Sequence, residues 1–450
     1  MDSRHRTWAT SERFVPKTFI RPFVRFSQVE ASSGIVLLIA AVAALIWANS
    51  AGSDSYFSIL DEHMTIDFGP FHFDESVLHL VNDGLMAVFF FVVGLEIKRE
   101  LVLGDLQDSK AAALPVMAAL GGMVIPALIY IAFTAGEGGE AVQGWGIPMA
   151  TDIAFAVGIV ALLGSRVPSG AKLFLLAVAV SDDIGAIAVI AIFYTSDLDA
   201  AFLAAAMAGL AVVWLANKVH VRALWFYVPM AFVIWFFLLQ SGVHATIAGV
   251  ALGFLTPARP YYKRDEFDQR ARAILDEYPT EEPEDNRAQE HADHETMLLS
   301  EIASESVAPL NRLERKLVPW SSFVIVPIFA LANAGVDFRD VGLGEAATSN
   351  VALGVGVGLV LGKIIGISAA SYAAVRLNLG KLPRGTSWTH MLGLAGVAGV
   401  GFTVSLFVTG LAFTDPHLIG LAKVGIFTGS LIAGVIGTLI LRRARPPSEL

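Results

Sequence analysis

The sequence predicts an all-α polytopic membrane protein with about twelve transmembrane helices, and three observations carry that prediction. Of 450 residues, 55% are apolar and 16% charged, and the mean hydropathy of +0.63 lies far from that of a soluble domain. Apolar stretches of helical length recur from Gly34 to Leu441 between short polar or Gly/Pro-marked breaks, and one crossing needs about 20 apolar residues. The basic residues collect in alternate connections, as cytoplasmic loops require. The net charge of −10 is uneven, because residues 261–320 hold 15 acids and 8 bases and so contribute −7 of it. With no basic stripe and a balance that repels phosphate, nucleic-acid binding is disfavoured. The absence of cysteine excludes disulfides and thiolate chemistry.

Residues 1–30 interleave Arg4, Arg6, Arg13, Lys17, Arg21 and Arg25 with Phe14, Phe19, Phe23 and Phe26, which suits a cytoplasmic amphipathic segment on an anionic membrane surface. The polar lead is too long for a signal peptide, and no small-residue cleavage motif follows. Residues 31–256 carry spans one to eight, placed near 31–49, 76–101, 112–134, 147–163, 171–194, 200–216, 223–239 and 243–256. Between the first two, Asp54 to Glu75 (with MTIDFGPFHF) reads as a small extracytoplasmic β-hairpin, whose edge could pair with another protomer. The eighth span is short, leaving room for tilt or an aqueous cavity beside it. Residues 257–319 form an acidic cytoplasmic loop, partly disordered or loosely helical. Residues 320–441 carry spans nine to twelve, near 320–335, 351–375, 388–413 and 418–441, and 442–450 is a cytoplasmic tail.

With the N-terminus inside, every base except Arg339, Lys423 and Lys363 falls on the cytoplasmic side. Arg339 and Lys423 lie on the other side and Lys363 within a span. An even number of crossings with both termini cytoplasmic follows.

A charge at membrane depth costs about 2.5–3.5 kcal/mol even on lenient insertion scales, so each is a functional candidate. Asp152 lies in the fourth span, Asp182 and Asp183 midway along the fifth, and Lys363 midway along the tenth. Adjacent helical residues project about 100° apart, so one aspartate can pair with Lys363 while the other faces Asp152. Such a site can hold either protons or a cation. The fourth and eleventh spans are interrupted, by Gly144, Gly146 and Pro148 before Thr151-Asp152 and by Gly393, Gly396, Gly399 and Gly401. Unwound backbone at membrane depth is tolerated only where it lines protein or a wet cavity. Spans three to five and ten to twelve run in opposite senses, each with its broken member in the middle, which reads as an inverted repeat around a midplane site. At the inner end of the second span, Glu96, Arg99 and Glu100 share a helical face and are candidates for regulation. Asp83, Asn333 and His244 also lie in apolar spans.

The segments NDGLMAVFFFVVGLEIKREL, ATDIAFAVGIVALLGSRVP, DDIGAIAVIAIFYT, SGVHATIAG, FALANAGV, LGKIIGIS and GVGFTVSLF, in this order from about Ala31 to Leu441, closely resemble the NhaA-type sodium/proton antiporters. That family is itself a known example of inverted-repeat transporters, so the agreement on this point is not independent. The resemblance implies electrogenic exchange of one internal sodium or lithium ion for two external protons in the bacterial inner membrane, serving pH and sodium homeostasis. It implies Asp183 as ion ligand and proton carrier, Asp152 near the sodium, and Asp182 paired with Lys363. Thr151, Gly399 and Gly401 would lie at the helix crossing, and Glu96, Arg99, Glu100, His244 and Glu314 would take part in the pH response. The hairpin would support a homodimer, no cofactor is implied, and no enzymatic activity is expected. The loop before Glu314 is longer than in compact members, and Ser181 replaces the more usual branched apolar residue. Two other readings fit less well. An organic-solute carrier would want more polar or aromatic groups at the site, and an intramembrane aspartyl protease would draw its two aspartates from separate helices.

Overall fold

The computed structural model describes residues 32–68, 71–195, 198–221, 224–278 and 286–444; the amphipathic reading of 1–30 lies outside them. Helices dominate. In chain order they are α1 (Ser32–Ala48), α2 (Ser53–Asp61), α3 (Val77–Leu103), α4 (Ser109–Thr134), a 3₁₀ run (Gly139–Met149), α5 (Ile153–Leu163), α6 (Ser169–Phe193), α7 (Ala200–Lys218), α8 (Leu224–Gln240), α9 (Thr246–Leu255), α10 (Arg264–Glu277) and α11 (Asn286–Glu305). There follow α12 (Pro309–Asn333), α13 (Leu343–Ala346), α14 (Asn350–Arg376), α15 (Trp388–Val397), α16 (Phe402–Ala412) and α17 (Pro416–Arg443). Among the described residues, eight helical segments are long and apolar enough to cross a membrane, and up to ten if two bent pairs each count as one. The chain is thus a predominantly helical, multi-pass membrane protein. Helices α8 and α9 are apolar but shorter.

Several elements begin elsewhere than the apolar pattern alone suggests. The helix that carries the ninth span starts at Pro309, ahead of the apolar run near 320, and its first turns are amphipathic: Leu310, Leu313 and Leu317 share a face while Arg312, Glu314, Arg315 and Lys316 precede the apolar run. The stretch read wholly as hairpin begins instead with α2, and the antiparallel strands β1 (His63–Phe68) and β2 (Phe71–Ser76) follow it, with His63 opposite Ser76. Lys423, read as an outer basic residue, lies within α17 and donates to the Gly335 carbonyl at 3.3 Å.

Local chemistry starts many of the spans in the same way. Asp108, Asp199 and Asp415 cap α4, α7 and α17 by accepting hydrogen bonds from the Lys110, Ala201 and His417 amides. Asp152 caps α5 in the same manner, through the Phe155 amide at 3.1 Å, but it does so 2% exposed. Close packing then sets the centre of the molecule. A Cβ on Gly121 of α4 would collide with the Gly366 carbonyl of α14, and one on Gly366 with the Gly121 carbonyl, so only glycine lets these backbones meet. A π-turn at Gly358–Gly362 directly precedes Lys363 and changes the register of α14 at that point.

Candidate functional site at the helix crossing

Two interrupted spans cross at the middle of the bundle. The first passes from the 3₁₀ run through extended Ala150–Asp152 into α5, and the second passes from α15 into α16 with a bend of 49°. Each break leaves backbone groups without helical partners, and burial makes those groups costly unless they are satisfied. The two breaks satisfy one another. The Asp152 amide donates to the Val400 carbonyl at 2.7 Å, and the Thr151 hydroxyl donates to the Ala398 carbonyl at 2.8 Å. The Ser405 hydroxyl donates to the Ile147 carbonyl at 2.8 Å, and the Gly401 amide donates to Ser430 Oγ at 3.3 Å. The Gly399 amide donates to the Gly396 carbonyl.

Charges complete the crossing. One Asp152 oxygen accepts from the Phe155 amide, and the other accepts from the Thr403 amide at 3.1 Å and the Thr403 hydroxyl at 2.6 Å. A single carboxylate therefore caps the N-termini of both α5 and α16, where the helix dipoles favour negative charge. Lys363 performs the complementary task. Its ammonium donates to the carbonyl of Met149, the last residue of the 3₁₀ run, to Thr151 Oγ1 at 3.0 Å and to Asp182 Oδ2 at 2.7 Å. Both side chains of the Lys363–Asp182 pair are 1% exposed. The other Asp182 oxygen is buried without a partner.

Asp183 differs from its neighbour. It is 8% exposed, and its carboxylate accepts no hydrogen bond from any described residue. It lines a cavity of about 290 Å³ together with Thr151, Asp152 and Thr403. The same cavity is lined by Glu96, Arg99 and Glu100 on α3. Arg99 is hydrogen-bonded to Glu314 of α12 and reaches Glu100 at 3.3 Å. The fold thus brings together four of the five sequence candidates for pH response, Glu96, Arg99, Glu100 and Glu314, along one route to Asp183. It separates the fifth. His244 donates through Nε2 to the Tyr194 carbonyl at 2.7 Å and lies within electrostatic reach of His79 and Asp83, at the opposite end of α3 from Glu96.

Sequence reasoning passed over Thr403. The available signal was a hydroxyl residue directly after the Gly399–Gly401 break, where a new helix must begin. It also passed over Lys98, whose ammonium donates to the Phe254 and Thr256 carbonyls and closes the C-terminus of α9.

A pair of carboxylates and a pair of hydroxyls facing a small cavity form an oxygen-rich site suited to a hard cation or to protons. Comparison with known proteins points the same way. A sequence profile for the family described as Na+/H+ antiporter 1 matches residues 24–441. The chain is similar to an Na(+)/H(+) antiporter NhaA of Koribacter versatilis, with 43% identity over 95% of this chain and 92% of that protein. It is also similar to those of Rhodopirellula baltica, with 44% identity over 94% of each chain, and Acidithiobacillus ferrooxidans, with 44% identity over 94% of this chain and 97% of that one. With its match running from before α1 into the last turn of α17, the chain belongs to the Na+/H+ antiporter 1 family.

Proposed function

We propose that this protein exchanges sodium, and also lithium, for protons across the bacterial inner membrane, with two protons moving in for each cation extruded. The observation that carries the reading is the contrast between two adjacent aspartates. Asp182 is held by Lys363, whereas Asp183 is buried, faces the cavity and accepts no hydrogen bond from the described residues. A buried carboxylate without a partner is stable only when a proton or a cation neutralises it. Competition between the two for Asp183, with Asp152 beside it, makes exchange obligatory if the empty charged site does not readily cross. The Asp182–Lys363 neighbourhood supplies the second proton.

With two protons entering per sodium leaving, one net charge moves inward, and a potential of 100 mV contributes about 2.3 kcal/mol to extrusion. The topology in this reading has about twelve crossings, with spans three to five and ten to twelve as inverted repeats, both termini cytoplasmic, and the 257–319 segment on the cytoplasmic side. Rocking of one bundle against the other around the crossing gives alternating access. Glu96, Arg99, Glu100 and Glu314 then sit at the cytoplasmic mouth and adjust activity to pH, and β1 and β2 offer an edge for a homodimer. In inverted vesicles, sodium should collapse a preformed pH gradient, and Asp183→Asn should abolish that response. Retention of sodium-dependent exchange in Asp183→Asn would overturn the assignment.

A further inference from the structure

We propose that Ser33, Ser321 and Ser322 form a second, weaker oxygen site for the cation on the cavity wall, where it exchanges part of its hydration shell before reaching Asp183. The proposal rests on the sodium–proton exchange read above. All three serines line the cavity that contains Asp183 and Asp152. They come from two elements in contact: Ser33 from α1, and Ser321 and Ser322 from a π-turn at Ser321–Ile325 inside α12.

The hydroxyls themselves are unengaged. A buried serine or threonine in a helix often donates to a carbonyl one turn back, as Thr134 does to Tyr130, Ser181 to Ala177 and Thr409 to Ser405. Ser321 is 4% exposed, yet none of the Ser33, Ser321 and Ser322 hydroxyls has a hydrogen-bond partner among the described residues. Ser33 lies in the first turn of α1, and Ser321 and Ser322 open the π-turn, in which the Val326 amide bonds back to the Ser321 carbonyl, five residues earlier. Turns of this kind recur at functional sites.

Neutral hydroxyl oxygens suit the task. A hard cation accepts them in place of water, and they hold it weakly enough to release it onward, which conduction through successive sites requires. Glu96, across the cavity on α3, adds negative charge, while Arg99 is engaged by Glu100 and Glu314. A proton gains nothing comparable from a hydroxyl at neutral pH, so this wall acts on the cation and leaves proton carriage by Asp183 untouched. The three serines therefore set cation affinity and the balance between sodium and lithium, and the maximal rate is set elsewhere.

The test is the combined variant Ser33→Ala, Ser321→Ala and Ser322→Ala, which removes three oxygens and little volume. Sodium- and lithium-dependent collapse of a pH gradient is followed in inverted vesicles at fixed pH, alongside the melting temperature of the purified protein. The expected result is an apparent KM for sodium raised about fivefold, the size of one lost hydrogen-bond-strength contact, with a changed lithium-to-sodium KM ratio and a wild-type maximal rate. Wild-type KM values for both ions would overturn the proposal. A fall in maximal rate or melting temperature at unchanged KM would also overturn it, by assigning the serines to packing. If wild-type vesicles themselves give no sodium response, the exchange reading fails instead, and the two failures are told apart by that control.

Discussion

The helix crossing and the acidic segment 261–320 hold ionisable side chains under opposite conditions. The segment is dense in charge, with 15 acids and 8 bases, and its ion pair between Arg272 and Asp268 leaves 74% and 61% of the two side chains exposed. Among the described residues the crossing holds Asp152, Asp182, Asp183 and Lys363, and its ion pair is 1% exposed on both sides. Water solvates the first pair whether or not the partners meet, so their contact is worth little. In the second, every charge must be answered by a named protein group: Met149, Thr151 and Asp182 answer Lys363, and Phe155 and Thr403 answer Asp152. Asp183 is the exception, and an unanswered charge in that setting is where a transported ion has something to gain. Charge density along the chain is therefore a poor guide to function, and charge burial is a good one.

The contrast can be broken most directly at Lys363. Lys363→Ala leaves Asp182 buried without its counter-ion and should destabilise the protein by about 3–5 kcal/mol, read as a lowered melting temperature in detergent. Wild-type melting would remove the distinction between the two regions. Next in size, Thr403→Val deletes the hydroxyl donor to Asp152 but keeps the Thr403 amide, and a loss of about 1.5–3 kcal/mol is expected for a hydrogen bond to a charged group. The same measurement in a Thr403→Ser variant should return close to wild type. Glu314→Gln lies between the two regimes, because Arg99 is 37% exposed beside it. Stability should fall by about 1 kcal/mol or less, while the pH dependence of sodium-driven proton flux should shift. An unchanged profile would detach this cluster from regulation. Smallest of all, Arg272→Ala should leave both melting and exchange at wild-type values, and a measurable loss of either would show that the acidic segment is coupled to the crossing.

Much of this was legible in the chain, for particular reasons. Asp152, Asp182, Asp183 and Lys363 stood out because their apolar surroundings made each one costly, and the two broken spans were marked by glycines and a proline. Other features were hidden. The first turns of α12 read as part of a loop, since an amphipathic helical start lacks the apolar run that marks a crossing. Nothing in the sequence distinguishes the π-turns at Leu80–Leu85, Ser321–Ile325 and Gly358–Gly362 from ordinary helix, because one extra residue in a turn leaves no compositional trace. His244 shares an apolar background with Glu96 and Arg99, and the fold keeps it at the other end of α3, as its place at the outer start of the eighth span implies.

The sequence by itself determined that the chain is a membrane protein of many apolar helices, which few charges lie at depth, and, through its ordered motifs, which family it resembles. Tertiary structure decided how those charges divide. From spacing alone, either of two adjacent aspartates could have taken Lys363. With α4 and α14 in close contact at Gly121 and Gly366, the Lys363 ammonium meets Asp182 and the Met149 carbonyl, and Asp183 is left to the cavity. Hydrophobicity and periodicity are local properties that a sequence carries openly. The choice of a charge partner depends on how helices distant in the chain are rotated against one another, and that is settled only when they pack.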